Sequence, residues 1–409
     1  MSFDVSAARA QFPALRQQDN GKTPIFLDNP GGTQVPQTVI DAVSDYYRYS
    51  NGNSGGRFAT SRRTDAMKQA AREAVAAFLN AATAQEIIFG PNMTSLTLNF
   101  SRAWGREVQP GDEIIVTQMD HDANIAPWLL LAEDRGLTVR WVRLDVEDGT
   151  LDMASYRAAL NERTRMVCVG YAANALGTIN PVKDMAKMAH EVGAQIYVDA
   201  VQAAPHVLID VQELDVDFLT CSAYKFYGPH LGILYGKAHL LDVLRPYKIR
   251  PASEQNPGKW ETGTLSFEAI AGTKAAIDYM ASFGEGKNLR ARLCSSFEGV
   301  REHENALAWT LIDGLKQLPN VEIRGIIDQK RAQERVPTVV FRLAEENPGD
   351  IEQQLADKAI YIWSGDYYAV ETMRALNHQD DGGMVRIGIA HYNNGQEIQR
   401  VLEVLKTFS

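Results

Sequence analysis

In the stretch TCSAYKFYGPHLGILYG, residues 220–236, two apolar runs flank a short polar knot that holds one lysine, Lys225. Lysines ordinarily lie on solvated faces. One placed where a strand breaks into a turn is a candidate for Schiff-base chemistry with an aldehyde. Ser222 and Tyr224 stand just before it. Four other apolar runs also end in polar residues. EIIF (86–89) leads through Gly90 and Pro91 to Asn92, Met93 and Thr94. This turn enters a helix, where free N–H groups and the dipole favour an anion such as phosphate. A plain cap by Asn92 or Thr94 would use the same residues. DEIIVTQ is followed by His121, which can stack on a ring or serve only structure. RMVCVGYA is followed by Asn174, an amide able to donate to an oxygen. QIYV ends in Asp199, with Gln202 after it, and a carboxylate ending an apolar strand is costly unless paired.

Together these residues meet the needs of pyridoxal phosphate. Its phosphate wants a helix N-terminus and hydroxyls, its aldehyde a lysine, and its pyridine nitrogen an Asp that keeps it protonated. Such residues converge only if the strands lie side by side, because ligands of open α/β sheets bind at the carboxyl ends of the strands. The pattern predicts that arrangement. Nearly continuous apolar runs alternate with helical periodicity through the first two-thirds of the chain, as in a mainly parallel sheet covered on both faces. Helices are expected near 62–81, 93–105, 124–135, 153–161 and 182–192, and LGILYG (231–236) as an added antiparallel strand. After about residue 265 the rhythm becomes that of a smaller α+β unit, with helices near 267–282, 290–316, 349–358 and 395–406. The expected organisation is an N-terminal segment 1–20 packed on the small domain, a large domain 21–285 and a small domain 286–409. The joint falls at FGEGKNL (283–289), where Gly284 and Gly286 break the helix.

The 409 residues, 45% hydrophobic and 22% charged, suit such a two-domain globular chain. A net charge of −10 argues against a general nucleic-acid or anionic-membrane binder. Three cysteines, Cys168, Cys221 and Cys294, form no CxxC pair, so neither a disulfide framework nor a zinc ribbon is expected, and a reducing cytoplasm is the expected home. The N-terminus has no long apolar stretch of a signal peptide, and no run approaches 18 apolar residues. DVEDG (145–149) lacks the remainder of a calcium loop and reads as a surface turn. No metal site is expected.

In order and wording the chain resembles the class V aminotransferase family of fold type I pyridoxal-phosphate enzymes, most closely the cysteine desulfurase and selenocysteine lyase branch. The resemblance runs through FLDNPGGTQVP (26–36), FGPNMTS (89–95), MDHDANIAPW (119–128), NALGTINPV (174–182), YVDAVQAAPH (197–206), SAYKFYGPHLGILYG (222–236), ETGTLSFEAIAG (261–272) and VRIGIAHYNN (385–394). It implies that Lys225 binds the cofactor aldehyde and later shuttles a proton, that Asp199 pairs with the pyridine nitrogen, and that His121 stacks on the ring. Gln202 would reach the phenolic oxygen, and Asn92, Met93, Thr94, Ser222 and Tyr224 would hold the phosphate. Tyr224 departs from the histidine usual in the branch. Thr264 would reach the phosphate of the neighbouring subunit, which implies a homodimer. Arg386, assisted by Asn174, would grip the α-carboxylate of a small amino-acid substrate with its bidentate fork.

The resemblance breaks in YIWSGDYYAVETM (361–373). Aligned through Ser364-Gly365, Tyr368 falls where desulfurases carry the mobile sulfur-accepting cysteine, and a phenol cannot carry a persulfide. The three cysteines are read as buried structural residues. Trp363, Tyr367 and Tyr368 are candidate walls of a substrate pocket or ordinary packing. Arg57, Arg62 and Arg63 are candidates for an anionic group, a solvated face or an interface. The function expected is C–S or C–Se lyase chemistry by β-elimination without a persulfide cysteine. The alternatives are transamination, epimerisation or a non-catalytic cofactor-binding scaffold.

Overall fold

The computed structural model describes residues 3–344 and 346–408. Its centre is a seven-stranded sheet in the order Ile87–Gly90, Gly232–Gly236, Phe218–Ser222, Gln195–Asp199, Thr164–Gly170, Glu113–Thr117, Thr138–Val142. Gly232–Gly236 pairs antiparallel with both its neighbours, and the other six strands share one direction. The apolar runs are continuous because both faces are covered. Ile87, Phe89, Ile115, Val167, Ile196 and Leu219 face a core shared with the helices Ala59–Leu79 and Phe267–Ala281. Ile88, Ile114, Val116, Met166, Tyr197 and Phe218 face a second core, under Met93–Trp104 and Ala126–Arg135. The two-residue period of a strand sorts neighbours to opposite faces.

A four-stranded antiparallel sheet, ordered Val321–Arg324, Thr338–Leu343, Met384–Gly388, Trp363–Gly365, forms the C-terminal unit with its own core. At the expected joint the helix Phe267–Ala281 stops, and Asn288 caps Leu289–Leu315 by accepting from Ala291 N at 2.8 Å. Gly284 is required between them, since a Cβ there would lie 2.0 Å from the Arg292 carbonyl oxygen. Leu289–Leu315 crosses both units, with Leu293 and Phe297 in the large core and Leu307 to Leu315 in the small one.

Of the N-terminal segment 1–20, residues 1 and 2 lie outside the described residues. Arg9 pairs with Glu397 of the last helix at 2.8 Å, while Phe12 packs on Tyr227, Tyr279 and Tyr392. Ile25–Phe26 then adds parallel to Ile360–Tyr361, and Leu27 enters the small core. This crossing delivers Asp28, Asn29 and Pro30 to the cleft between the units. The acidic turn 145–149 is held by its own backbone, with Asp145 accepting from Glu147 N and Asp148 N at 3.1 Å, and Asp148 pairs with Arg331. Among the described residues no helix is long and apolar enough to cross a membrane, and no cluster of metal-ligating side chains occurs.

Glu113, buried at the start of its strand, accepts from Arg140 at 2.9 and 3.0 Å and from Asn161 at 2.8 Å, and pairs with Arg163 at 2.8 Å. These bonds, led by Arg140, hold its carboxyl at about 2. A carboxyl depressed by folding contributes stability that is complete above its ordinary value of 4.5 and is lost as pH falls toward 2. Thermal melts of Glu113→Gln should therefore show a lower Tm at neutral pH and a shallower acid-side decline between roughly pH 4.5 and 2. Parallel pH profiles for the variant and the wild type would contradict this.

Candidate active site

A cavity of about 440 Å³ opens where the strand ends of the large sheet meet residues 30–31 and the loop 363–368. Lys225 lies on its wall, in the 3₁₀ turn Ala223–Lys225 that follows the strand Phe218–Ser222. It is 9% exposed, and its Nζ donates to the Pro30 carbonyl. Burial and the positive charge of Arg386 push the amine down to about 7, against the pull of Asp199 and Asp28. Asp199 ends its strand buried on the cavity wall, with Oδ1 accepting from Val201 N at 2.8 Å; burial raises it to about 6, opposed by Val201 and Lys225.

His121 follows the strand Glu113–Thr117, and its Nδ1 accepts from Ala123 N at 3.0 Å, which leaves the proton on Nε2. Burial, then Lys225 and Arg386, push it down to about 4, so the ring is neutral at pH 7. Asn92, Met93 and Thr94 line the cavity at the start of the helix Met93–Trp104. Asn92 also caps that helix, accepting from Ser95 N at 2.8 Å, so the plain-cap reading of this residue is realised. Ser222 Oγ accepts from Met93 N at 3.0 Å, which ties the helix start to the lysine strand and leaves the hydroxyl proton to donate. Tyr224 stacks on His230 at 4.8 Å and 15°.

Gln202 lines the cavity while its amide donates to Thr338 Oγ1 of the small sheet at 3.1 Å. Thr264 is exposed and is not among the residues lining the cavity of its own chain. Its segment is anchored through Glu261, which pairs with Arg72 at 2.8 Å and accepts from Phe89 N at 2.9 Å. Arg57, Arg62 and Arg63 also lie outside the cavity lining, and Arg63 donates to the Tyr49 carbonyl at 2.6 Å.

Arg386 reaches the cavity from the small sheet, 5% exposed, with its guanidinium carbon 4.1 Å from the Tyr367 ring centroid. It donates to the Asn174 backbone carbonyl at 3.0 Å, and its Nε has no partner among the described residues. The Asn174 amide nitrogen donates to the Tyr367 carbonyl at 2.9 Å, and its Oδ1 is buried without a partner. The side chain therefore braces the 363–368 loop, and the backbone touches the arginine. Tyr367 and Tyr368 both have left-handed backbones, φ 55° and 58°. Asp366 accepts from Tyr368 N at 2.9 Å, and Asp122 N donates to the Tyr368 carbonyl at 2.7 Å. These bonds hold the Tyr368 ring over His121, centroids 5.5 Å apart and 29° between planes.

Several residues went unassigned in the sequence. Asp28 is pushed up to about 6 by burial, and its Oδ1 is unpartnered. Buried His206 bridges Asn29 Oδ1 and Glu304 Oε2, each at 2.8 Å, and so fixes the loop whose carbonyl meets Lys225. The motifs FLDNPGG and QAAPH contain Asp28, Asn29 and His206, but no periodicity joins Asn29 to positions 206 and 304. The cysteines need one correction. Cys168 and Cys221 are buried in strands with thiols pushed up by burial, whereas Cys294 is half-buried, because it lies on the flank of Leu289–Leu315. None of the three lines the cavity.

The donor set fits pyridoxal phosphate. A desolvated amine, an enclosed carboxylate at a strand end, a neutral imidazole and a helix N-terminus surround one space. Beside that space Arg386 Nε is a buried donor with no partner among the described residues, and an anionic ligand group would accept from it.

The comparisons agree with this reading. A family model described as "Aminotransferase class-V" matches residues 25–401. The cysteine desulfurase of Pectobacterium carotovorum subsp. carotovorum is 35% identical, covering 99% of this chain and 98% of its own length. That of Serratia proteamaculans is 34% identical, with 99% and 98% covered. Among solved structures, the cysteine desulfurase CsdA (S-sulfonic acid) from Escherichia coli superimposes with a TM-score of 0.86 at 27% identity, covering 100% of this chain and 98% of that one. The apo cysteine desulfurase from Thermococcus onnurineus NA1 gives 0.88 at 25% identity, also over 100% and 98%.

Proposed function

The chain belongs to the class V aminotransferase family and is a cysteine desulfurase-like, pyridoxal-phosphate-dependent enzyme, and we propose that it cleaves the C–S or C–Se bond of a small amino acid by β-elimination, without a persulfide on the protein. The observation that carries this proposal is the Tyr368 ring stacked on His121, on the loop where the resemblance puts the acceptor cysteine, beside a cavity lined by no thiol.

In this reading Lys225 holds the cofactor aldehyde, Asp199 its pyridine nitrogen and His121 its ring face. The start of the helix at Asn92, Met93 and Thr94, with Ser222 and Tyr224, would hold the phosphate, and Gln202 would reach the phenolic oxygen. When bound, pyridoxal phosphate supplies a ring that withdraws the electrons left on the α-carbon after its proton departs. Arg386 grips the substrate carboxylate, and the Tyr367 face beneath it keeps the fork oriented. Lys225 Nζ, on the cavity wall, would take the α-proton. Its folded value of about 7 leaves a large neutral fraction at neutral pH, which suits a general base. The Tyr368 ring covers one face of His121.

The test is an amino-acid screen that reads pyruvate, keto acid and sulfide together. Pyruvate and sulfide in equal amounts support β-elimination, and a keto acid with a free-amine cofactor form would replace it with transamination. Replacing Cys168, Cys221 and Cys294 singly by Ala should leave most of the turnover, with a stability loss of about 1–2 kcal/mol at the two strand sites. Loss of activity in one folded, cofactor-loaded variant, with a persulfide trapped on the wild-type thiol, would overturn the proposal.

The protein is also read as a homodimer in which exposed Thr264 reaches the partner's phosphate site. Mixed Lys225→Ala and Thr264→Ala subunits should change activity only after exchange. A fully active monomer in sedimentation experiments would refute this assembly.

A further inference from the structure

We infer, on the β-elimination reading above, that the substrate is a cysteine S-conjugate whose sulfur carries an aromatic group, received by Trp363 and Tyr368 at the cavity mouth.

Trp363 stands directly opposite Arg386 on paired antiparallel strands, so the two side chains project side by side from one face of the small sheet. The indole lies against Gly31, where a Cβ would come within 2.4 Å of Nε1, so the loop is cut back to admit the ring. Tyr368 is set from the other side by its left-handed backbone and its bonds to Asp366 and Asp122. The rings are 47% and 70% exposed, yet both line the cavity. Lys225, Asp199 and Arg386 lie deep, and the rim carries the two rings with the exposed carboxylate of Asp366 between them in sequence. A bare cysteine, anchored by its carboxylate at Arg386, ends at its sulfur and leaves both rims to water. An aryl group on that sulfur supplies the surface they lack.

The chemistry of departure points the same way. His121 is neutral and its Nδ1 is occupied, so the imidazole offers the leaving sulfur no strong acid. A thiolate whose charge spreads into a ring leaves without one. The balance is Ar–S–CH2–CH(NH3⁺)–COO⁻ + H2O → ArSH + pyruvate + NH4⁺. The Cβ–S bond breaks, the α-proton passes to Lys225, the sulfur keeps the bonding pair and takes a proton, and water hydrolyses the released three-carbon enamine. No oxidant or reductant is needed.

The test compares L-cysteine, S-methyl-L-cysteine and S-phenyl-L-cysteine on the cofactor-loaded protein, reading pyruvate and thiol. S-phenyl-L-cysteine should exceed both others in kcat/KM by about tenfold or more, the scale of one aromatic contact plus ring burial. Trp363→Ala and Tyr368→Ala should bring the phenyl-to-methyl ratio toward one, and Trp363→Phe should restore part of it. In Lys225→Ala protein, calorimetry should show the same preference in binding without turnover. Equal kcat/KM for the two conjugates, or a ratio that the variants leave unmoved, would overturn the inference while pyruvate release still supported the lyase reading. Variants that alter sedimentation and not the ratio would assign the rings to a contact between copies and also overturn it. Keto acid without thiol from all three compounds would remove the lyase reading itself.

Discussion

Lys225→Ala should all but abolish turnover, and the mass adduct that borohydride is expected to leave on the cofactor-loaded wild type should be absent from the variant. The loss should reach about 10²–10⁴-fold from proton transfer alone, and more because the covalent anchor goes with it. The neighbourhood makes this lysine distinctive. It is buried, it faces the Pro30 carbonyl, and Arg386 and burial together hold it near 7. A lysine at its ordinary value of 10.5 would be almost wholly charged at neutral pH. Attack on an aldehyde needs the neutral amine, so uptake of pyridoxal phosphate by the cofactor-free protein should accelerate as pH rises through about 7 and then level off. An adduct mapped to another lysine would remove the central residue of the proposed mechanism. Uptake that keeps accelerating to pH 10 would mean that Arg386 and burial do not govern this amine.

Arg386→Ala should raise KM for any amino-acid substrate by about 30-fold or more, the scale of a buried charge-assisted pair worth 2–5 kcal/mol. Arg386→Lys should recover only part of that, because an ammonium presents a point charge where the fork offered two parallel donors. The guanidinium is pre-set by the Tyr367 face at 4.1 Å and by the Asn174 carbonyl at 3.0 Å, while its Nε waits unpartnered. Circular dichroism and cofactor content of both variants should match the wild type, since the residue supports no core strand alone. An unchanged KM in a folded, loaded variant would move the carboxylate site to another group.

The fold was largely legible in the chain because its signals are local. Apolar runs such as RMVCVGYA mark strands covered on both faces, and the helices expected near 267–282 and 290–316 appear as Phe267–Ala281 and Leu289–Leu315. The short helices Gln37–Asp45 and Val370–Ala375 lack enough turns to show a period and were not expected. Lys225, Asp199 and His121 were legible as a group for a geometric reason. In a parallel sheet the residues following each strand share one edge, so reading the chain strand by strand already reads around the site.

What the sequence by itself determined was therefore the order of strand ends and the chemical types placed there. Tertiary structure alone decided which of those groups remained free. Ser222 accepts from the helix start at Met93, Gln202 reaches across to Thr338, and the Asn174 amide braces Tyr367. The N-terminal crossing at Ile25–Phe26 brings Pro30 to Lys225, and His206 and Glu304 hold Asn29 from positions far along the chain. The stacking of Tyr368 on His121 joins loops about 250 residues apart. Hydrophobic periodicity encodes the face of an element that turns inward. A hydrogen-bond partner across the cleft depends on how two units with distinct cores meet, and no local pattern in either unit records that meeting.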